Sequence, residues 1–153
     1  MAPGLFDYDR PDDAPFADGE RILSGLTDGE WRDLESRLER RRYPAGVVIL
    51  RAGEDDRALH VIASGRVEVL AEGRRGRRRL AVLDEGAVIG EMSFLDGRRR
   101  SADVVALTDV ETLSLGFDRF LQLSAWRPRI ALSLALDLGR ALAGRLRRSN
   151  RDV

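Results

Sequence analysis

The stretch from Gly86 to Val105, GAVIGEMSFLDGRRRSADVV, decides how the rest of the chain is interpreted. It begins and ends in short apolar runs typical of β-strands, with glycines, one glutamate and a cluster of arginines between them. Gly90 removes a Cβ where the chain turns, and residues 91–95 can form a helical turn whose first N–H groups lack intrahelical partners. Free N–H donors at the positive end of a turn attract anions. The stretch therefore predicts an anion site.

The polar side chains of this stretch indicate a sugar phosphate. Arg100 offers a planar fork of donors that suits paired phosphate oxygens, and the Ser101 hydroxyl can add one hydrogen bond. Glu91 repels a phosphate directly, but an ionised carboxylate accepts hydrogen bonds from sugar hydroxyls. Taken singly, these residues are also ordinary turn, helix-start and solvated surface residues. Their combination favours a compact ribose with its phosphate close by.

The stretch resembles the phosphate-binding cassette of cyclic-nucleotide-binding domains, the family found in cyclic-AMP-dependent kinase regulatory subunits, gated channels and the bacterial catabolite activator. The family pattern is matched in residue type, order and spacing by Gly90-Glu91 and by Arg100-Ser101-Ala102. The resemblance implies that Arg100 binds the cyclic phosphate and Glu91 the ribose 2′-hydroxyl. It also implies backbone or close contacts to the ligand from Gly90, Met92, Ser101 and Ala102.

The resemblance extends from about Leu26 to Arg148 and implies a β-roll between one N-terminal helix and two C-terminal helices. It places Val69 and Leu80 along the ligand pocket, and it puts Ile89 where many members carry Phe. The implied ligand is cyclic AMP or cyclic GMP, with cyclic AMP favoured, and a cyclic dinucleotide stays open. The segments SADVVALTDV and RLRRSNR also resemble the domains appended to some bacterial glutaminases and sulfate-permease-type transporters.

Two departures from the family pattern bear on ligand binding. Asp103 replaces a small or hydroxyl residue, and strand alternation places it on the same side as Ser101. Its charge is expected to weaken phosphate binding unless Arg98 or Arg99 neutralises it. The last helix also carries no Ser or Thr in its lower half, before Ser149, so base recognition is expected to be apolar, to involve Arg145, or to be absent.

Composition limits the class of protein. The chain has 153 residues, of which 43% are apolar and 34% charged, as in one soluble globular domain. Its 26 basic residues, all Arg, balance 26 acidic residues, so net charge does not favour a nucleic acid or anionic membrane partner. Cysteine is absent, which excludes disulfides and thiolate chemistry. No signal peptide or membrane-spanning run is found, and we expect a cytoplasmic protein without membrane insertion.

Apolar patterning predicts a mainly β fold with flanking helices, of α+β class: an eight-stranded antiparallel roll or jelly roll. A capping box, Thr27 to Glu30, predicts a helix that runs to about Arg41. One short helix is predicted for the cassette, one from Asp118 to about Ala125, and one from about Arg129 to Arg148 behind Pro128. Residues 1–20 are expected to be a flexible leader or linker, and residues 21–153 the domain.

Two other features receive structural interpretations. The Arg-rich segment from Glu72 to Arg79 is interpreted as a solvated hairpin tip, although a contact with an acidic partner or RNA stays open. His60, the single histidine, lies among apolar strand residues, where it cannot assemble a metal site or a catalytic triad. We therefore expect it to be structural.

These observations predict a regulatory ligand-sensing module rather than an enzyme, with no catalytic residues, metal or cofactor. Cyclic nucleotide binding would be relayed through movement of the C-terminal helices to a partner or to a fused effector, such as an enzyme or transporter. No DNA-reading element follows the last helix, so a homodimer through that helix or an upstream effector is expected to carry the output. The alternative is a protein-interaction or dimerisation module whose cassette no longer binds ligand.

Overall fold

A computed structural model of the chain describes residues 25–151, except the side chain of Ser149. The expected leader, residues 1–20, lies outside this range. The chain divides into two compact units, one formed by residues 38–118 and the other, within the described range, by residues 25–37 and 119–151. In chain order the elements are α1 (Asp28–Glu35), β1 (Glu39–Tyr43), β2 (Val48–Leu50), β3 (Leu59–Ser64), β4 (Val67–Gly73), β5 (Gly76–Leu83), β6 (Val88–Ile89), α2 (Glu91–Asp96), β7 (Asp103–Ala106), β8 (Val110–Leu115), α3 (Phe117–Trp126) and α4 (Pro128–Arg151).

The unit of residues 38–118 is the predicted β-roll. Its strands form two four-stranded sheets in the orders β1-β8-β3-β6 and β2-β7-β4-β5. All the strand pairs are antiparallel. The apolar runs bury side chains on both sheets, including Ile62, Val67, Val88 and Leu113. The prediction of eight antiparallel strands with flanking helices is confirmed.

The first helix is shorter than predicted. Its capping box forms as expected, because the Thr27 hydroxyl accepts from the Glu30 N–H at 3.2 Å and the Glu30 carboxylate accepts from the Thr27 N–H. The helix nevertheless ends at Glu35 instead of near Arg41. Residues 39–43 instead form β1, which pairs with β8 along its whole length. Backbone pairing with a neighbouring strand outweighs the helix propensity of this arginine-rich segment, because tertiary contacts readily override propensity.

The Arg-rich segment is mostly strand. β4 and β5 form a hairpin in which only Arg74 and Arg75 lie between the strands. Gly76, at φ +100°, begins β5, which therefore includes the last three arginines of the segment. The register shifts after Val69, so that Val69 pairs with Ala81 and Leu70 with Arg79. Leu80 is therefore the extra residue of a β-bulge.

The second unit contains α1, α4 and all of α3 except its first two residues. Pro128 occupies the first position of α4, as predicted, and α4 continues to Arg151. Two ion pairs join the elements of this unit: Arg127 with Asp33 at 2.9 Å and Arg129 with Glu30 at 3.6 Å. No helix within residues 25–151 is long and apolar enough to cross a membrane. The buried side chains of the unit include Leu34, Leu123, Ile130, Leu134 and Leu138.

Candidate ligand-binding site

The predicted cassette is a turn, a short helix and an extended segment. β6 ends at Ile89, and Gly90 then adopts φ +78°, a left-handed conformation that favours glycine. α2 occupies Glu91–Asp96, and Gly97, at φ +72°, ends it by donating its N–H to Ser93 O at 2.9 Å. The two left-handed glycines therefore set where the helix starts and stops. They also reverse the chain so that Arg100 returns towards Gly90.

Arg100 is the centre of the site. Its side chain is only 2% exposed. Nη1 donates to the carbonyl of Gly90 at 3.0 Å, while Nη2 donates to the carbonyl of Ala58 at 2.7 Å and to the Asp56 carboxylate at 3.0 Å. A Cβ on Gly90 would lie 2.5 Å from Nη1. The glycine is therefore needed to admit the guanidinium as well as to turn the chain.

One donor of this guanidinium is left open. Among the residues that the structure describes, Arg100 Nε is buried and has no hydrogen-bond partner. Leaving a buried donor of a charged group unpaired costs roughly 1–3 kcal/mol. An acceptor that enters from outside the protein would recover this free energy. The fork is thus held rigidly by protein acceptors at both Nη atoms and presents Nε as an unused donor.

The connection between β2 and β3 forms the other side of the site, and sequence reasoning missed it. Arg100 is bound there by its backbone also, because its N–H donates to Glu54 O and its carbonyl accepts from Gly53 N–H. Asp56 is partly exposed, and burial alone would raise the pKa of its carboxyl. The Ala58 N–H and the Arg100 guanidinium override this effect and hold that pKa below its usual value. Asp56 therefore stays ionised opposite Arg100.

A sequence signal for this contact did exist. The run Glu54-Asp55-Asp56-Arg57 places acidic residues directly before a buried strand. A buried arginine requires a carboxylate or carbonyl acceptors. The chain offers many carboxylates, however, and only the fold shows that Asp56 is the one that reaches Arg100.

The other predicted cassette residues lie within ten positions of Arg100 in the chain. Their side chains differ in exposure. Glu91 is buried at the start of α2, whereas Met92 is 49% exposed. The Ser101 hydroxyl contacts the Met92 sulfur at 3.8 Å, which joins the two halves of the cassette. Ala102 is partly exposed beside them. The polar groups predicted to contact a ligand thus come from both ends of one loop.

The three predicted apolar contacts have different surroundings. Val69 pairs with Val104, two residues beyond Ala102, so β4 lies next to the strand that leaves the cassette. Leu80 is 51% exposed at the β-bulge. Ile89 is 2% exposed and pairs with His60 in the core. Ile89 therefore anchors the strand that carries Gly90, while Val69 and Leu80 keep accessible surface.

Asp103 is neutralised by a different arginine from the ones that we predicted. Its Oδ1 accepts from the Ala52 N–H at 2.7 Å and its Oδ2 pairs with Arg77 of β5. The Ala52 N–H and the Arg77 guanidinium hold the pKa of Asp103 below its usual value. Arg99 instead donates to Gly53 O. The prediction that Arg98 or Arg99 neutralises Asp103 is therefore wrong, because β5 extends far enough to bring Arg77 to β7, where Asp103 lies.

His60 lies in the core of the first sheet, 1% exposed, between Ile89 of β6 and Ser114 of β8. Within residues 25–151, neither ring nitrogen has a hydrogen-bond partner. Burial, with a smaller contribution from the nearby Arg100 charge, lowers its pKa to about 4. His60 is therefore neutral near pH 7. In the same range, no three His, Asp or Glu side chains are grouped as a metal site.

Comparison with known proteins identifies the same family that the cassette sequence resembles. Residues 40–125 match the model of the cyclic nucleotide-binding domain family. The chain is 38% identical over 81% of its length to the cyclic AMP receptor protein of Thermus thermophilus. It is 39% identical over 88% of its length to glutaminase 2 of Bradyrhizobium diazoefficiens.

A solved structure gives the same result. The chain superposes on the cyclic nucleotide-binding domain from Methylobacillus flagellatus with a TM-score of 0.81 and 30% identity. The match covers 88% of this chain and 77% of that one. The chain spans 58% of the length of the Thermus protein and 21% of the length of the glutaminase. The likeness to these two relatives is therefore to one part of a longer protein.

Proposed function

Because the chain belongs to the cyclic nucleotide-binding domain family, we propose that it binds cyclic AMP at the Arg100 cassette and acts as a regulatory module. The observation that carries the proposal is the buried Arg100 guanidinium, whose Nε has no partner among the described residues. A singly charged cyclic phosphate offers the acceptor that this donor lacks. Charge-assisted hydrogen bonds of this kind are about twice as strong as neutral ones.

Each remaining polar group of the cassette has a role in this proposal. Glu91, buried at the first position of α2, accepts from the ribose 2′-hydroxyl, which keeps a neutral donor between its charge and the phosphate. The Ser101 hydroxyl, now in contact with Met92, turns to the phosphate. Gly90 and Ala102 allow the ligand to approach the backbone closely. Val69 and Leu80 provide apolar surface to the nucleoside.

The preference for cyclic AMP is supported by likeness and by the absence of a dedicated guanine contact. The Thermus relative, 38% identical, is named for cyclic AMP. A guanine base is selected by donors and acceptors that match its edge, and α4 offers no Ser or Thr before Ser149 except Ser133, near its start. Of the two cassette hydroxyls, Ser93 is buried, whereas Ser101 is exposed and can serve either the phosphate or a guanine amino group. Cyclic AMP needs only apolar base contacts.

The proposed output is movement of the C-terminal helices. A ligand shifts an open-to-closed equilibrium only by its differential affinity for the two states. The phosphate contact at Arg100 supplies that difference, and α3 and α4 carry it to an effector. The glutaminase relative, of which this chain spans 21%, supports a fused or separate enzyme as effector. A transporter is the second class of effector that the sequence suggests.

A homodimer through α4 is part of the proposal. Leu132, Leu136 and Leu146 are 61%, 51% and 63% exposed. With 3.6 residues per turn they fall on one side of the helix, together with the small residues Gly139 and Ala143. Small residues between leucines allow two helices to approach closely. This stripe fits a second copy of the same helix.

A titration of the purified chain with cyclic AMP, cyclic GMP, 2′-deoxy cyclic AMP and linear 5′-AMP tests the proposal by calorimetry. We expect binding of cyclic AMP in the micromolar range or tighter, weaker binding of the 2′-deoxy compound because Glu91 loses its donor, and little binding of 5′-AMP. Ser101→Ala is the matched variant for base preference, since it should weaken cyclic GMP more than cyclic AMP. A folded protein that binds none of the four compounds would contradict the proposal.

A further inference from the structure

Arg57 makes a set of contacts that the ligand site described above does not use. It follows Asp56, which binds Arg100, and its side chain turns to the cassette helix instead. Nη2 donates to Phe94 O at 2.9 Å and Nε donates to Ser93 O at 3.3 Å. Both carbonyls lie near the C-terminal end of α2, where Ser93 O also accepts from the Gly97 N–H and the helix dipole is negative. Arg57 thus supplies donors and a positive charge where the helix needs both.

The same guanidinium contacts the first residue of α3. Arg57 Cζ lies 3.5 Å from the centroid of the Phe117 ring, a close cation–π contact. Phe117 also meets Phe94 of α2 edge to face, with ring centroids 5.4 Å apart. Phe94 is itself fully buried. Arg57, Phe94 and Phe117 therefore form a three-membered contact between the end of the cassette helix and the beginning of the C-terminal helices.

We infer that Arg57 is a positioning residue that fastens the cassette helix to Phe117, so that a shift of α2 on ligand binding displaces the start of α3. The neighbours Asp56 and Arg57 hold two different parts of the cassette. Asp56 binds Arg100, the proposed phosphate-binding residue, and Arg57 binds α2. Gly97 lies beside the same guanidinium, since a Cβ there would be in ordinary van der Waals contact with Arg57 Cζ, at 3.4 Å. The displacement of α3 on ligand binding rests on the proposed function, whereas the contacts of Arg57 with α2 and Phe117 exist without ligand.

Hydrogen–deuterium exchange of the full chain tests the fastening without any ligand. Arg57→Ala should speed exchange about tenfold both in residues 91–97 and in residues 117–121, because each segment loses a contact to the same guanidinium. Arg57→Lys, which keeps the charge but replaces the planar fork with a single ammonium nitrogen, should restore part of the protection in both segments. Arg51→Ala is the matched control: it removes an exposed arginine, paired with Glu54, from the same stretch of chain. Faster exchange confined to residues 91–97 would overturn the inference.

A second variant covers the case in which Arg57→Ala does not fold. Phe117→Leu keeps the apolar volume and removes only the ring that Arg57 and Phe94 contact. It should loosen residues 91–97, although the change is made in a different element. Unchanged exchange in that segment would also overturn the inference.

The ligand-bound comparison separates this inference from the proposed function. With saturating cyclic AMP, the wild-type protein should change its exchange in residues 117–126, while Arg57→Ala should bind within about tenfold of wild-type affinity and lose that change. If the wild-type protein binds no cyclic nucleotide, the proposed function fails and the ligand-free comparison still decides the role of Arg57. If Arg57→Ala binds ligand and α3 responds as in the wild type, the inference fails and the proposed function stands.

Discussion

The chemistry of the site depends on how one arginine is held. Arg100 is fixed by two backbone carbonyls and by Asp56, so its position is set before any ligand arrives. Preorganised donors contribute more to binding than flexible ones, because less conformational entropy is lost on binding. Removal of the whole side chain would also take away the donors that now bind the Gly90 and Ala58 carbonyls and the Asp56 carboxylate. Arg100→Ala therefore tests stability and binding together, and a more conservative change is needed to separate them.

Gly90→Ala should damage both the fold and the site. At φ +78° an alanine is strained, and its Cβ would lie 2.5 Å from Arg100 Nη1 and 2.9 Å from Ala58 O. The matched control is Gly46→Ala, with φ +87° and nothing within 4 Å of the added Cβ. Chemical denaturation should show a loss of about 1–2 kcal/mol for the control and about 1–3 kcal/mol more for Gly90→Ala. Equal losses in the two variants would show that Gly90 serves only the turn.

His60 should make the stability of the fold depend on pH. Its folded pKa of about 4 lies below the unfolded value of 6.5, so the unfolded chain takes up a proton first as the pH falls. The stabilising effect is fully present above pH 6.5 and is lost as the pH falls towards 4. Between pH 7 and pH 4.5 the free energy of unfolding should fall by about 2–3 kcal/mol more in the wild type than in His60→Leu. Urea denaturation at both pH values measures this, and parallel losses would contradict it.

The strands and helices were predicted to different extents. Seven of the strands, β2 to β8, contain apolar runs that can be read from the sequence, since burial on two sheets gives each run a clear pattern. β1 was missed because Glu39-Arg40-Arg41-Arg42 has no apolar pattern. Its place is fixed by pairing with β8 and by the contacts of Arg40 and Arg42 with Glu111. A strand at a sheet edge can be charged, and local sequence then carries little sign of it.

Prediction of the site from the sequence was limited in the same way, because only residues close together in the chain could be proposed. The local pattern identified Gly90, Glu91 and Arg100, because these residues lie within one short stretch. The partners Asp56 and Arg57 come from a connection more than 30 residues earlier. Their contacts depend on the packing of β3 beside β6. Single-sequence reasoning reaches such pairs only through a known fold.

The Arg77–Asp103 pair should couple the β4–β5 hairpin to β7, the strand that follows the cassette. The pair is partly exposed, so a double-mutant cycle with Arg77→Ala and Asp103→Ala should give a coupling energy of about 0.2–1 kcal/mol. Asp103→Ala should change cyclic AMP affinity less than about threefold, because Arg77 already compensates its charge. Arg78→Ala, one residue along the same strand, should show no coupling to Asp103→Ala. A large gain in affinity on loss of Asp103 would show that its charge opposes the ligand.

The exposed stripe of α4 should control self-association. Leu132→Glu combined with Leu136→Glu places two charges in the stripe, and the protein should then be monomeric by analytical ultracentrifugation, while the wild type forms dimers. Leu121→Glu is the control, because Leu121 is 49% exposed but belongs to α3. Removal of two leucines from a helix interface weakens it by several kcal/mol, or a factor of about a thousand or more in Kd. A monomeric wild type would exclude this interface.

In the molecule as a whole, the proposed ligand site lies in the β-roll, and the proposed response belongs to the C-terminal helices. The unit of residues 38–118 holds every residue assigned to ligand binding. The first two residues of α3, Phe117 and Asp118, belong to that unit, while the rest of α3 belongs to the other. The proposed function depends above all on Arg100 binding the cyclic phosphate.

Calorimetric titration of the wild type, Arg100→Lys and Arg99→Lys with cyclic AMP tests this most directly, with thermal unfolding of each protein as the check on folding. Lysine keeps the charge at position 100 but lacks the fork and the Nε donor. We expect micromolar or tighter binding of cyclic AMP to the wild type and to Arg99→Lys. In Arg100→Lys the affinity should fall about 100-fold, or ~3 kcal/mol. Folded Arg100→Lys protein that binds cyclic AMP as tightly as the wild type would contradict the proposed role of Arg100.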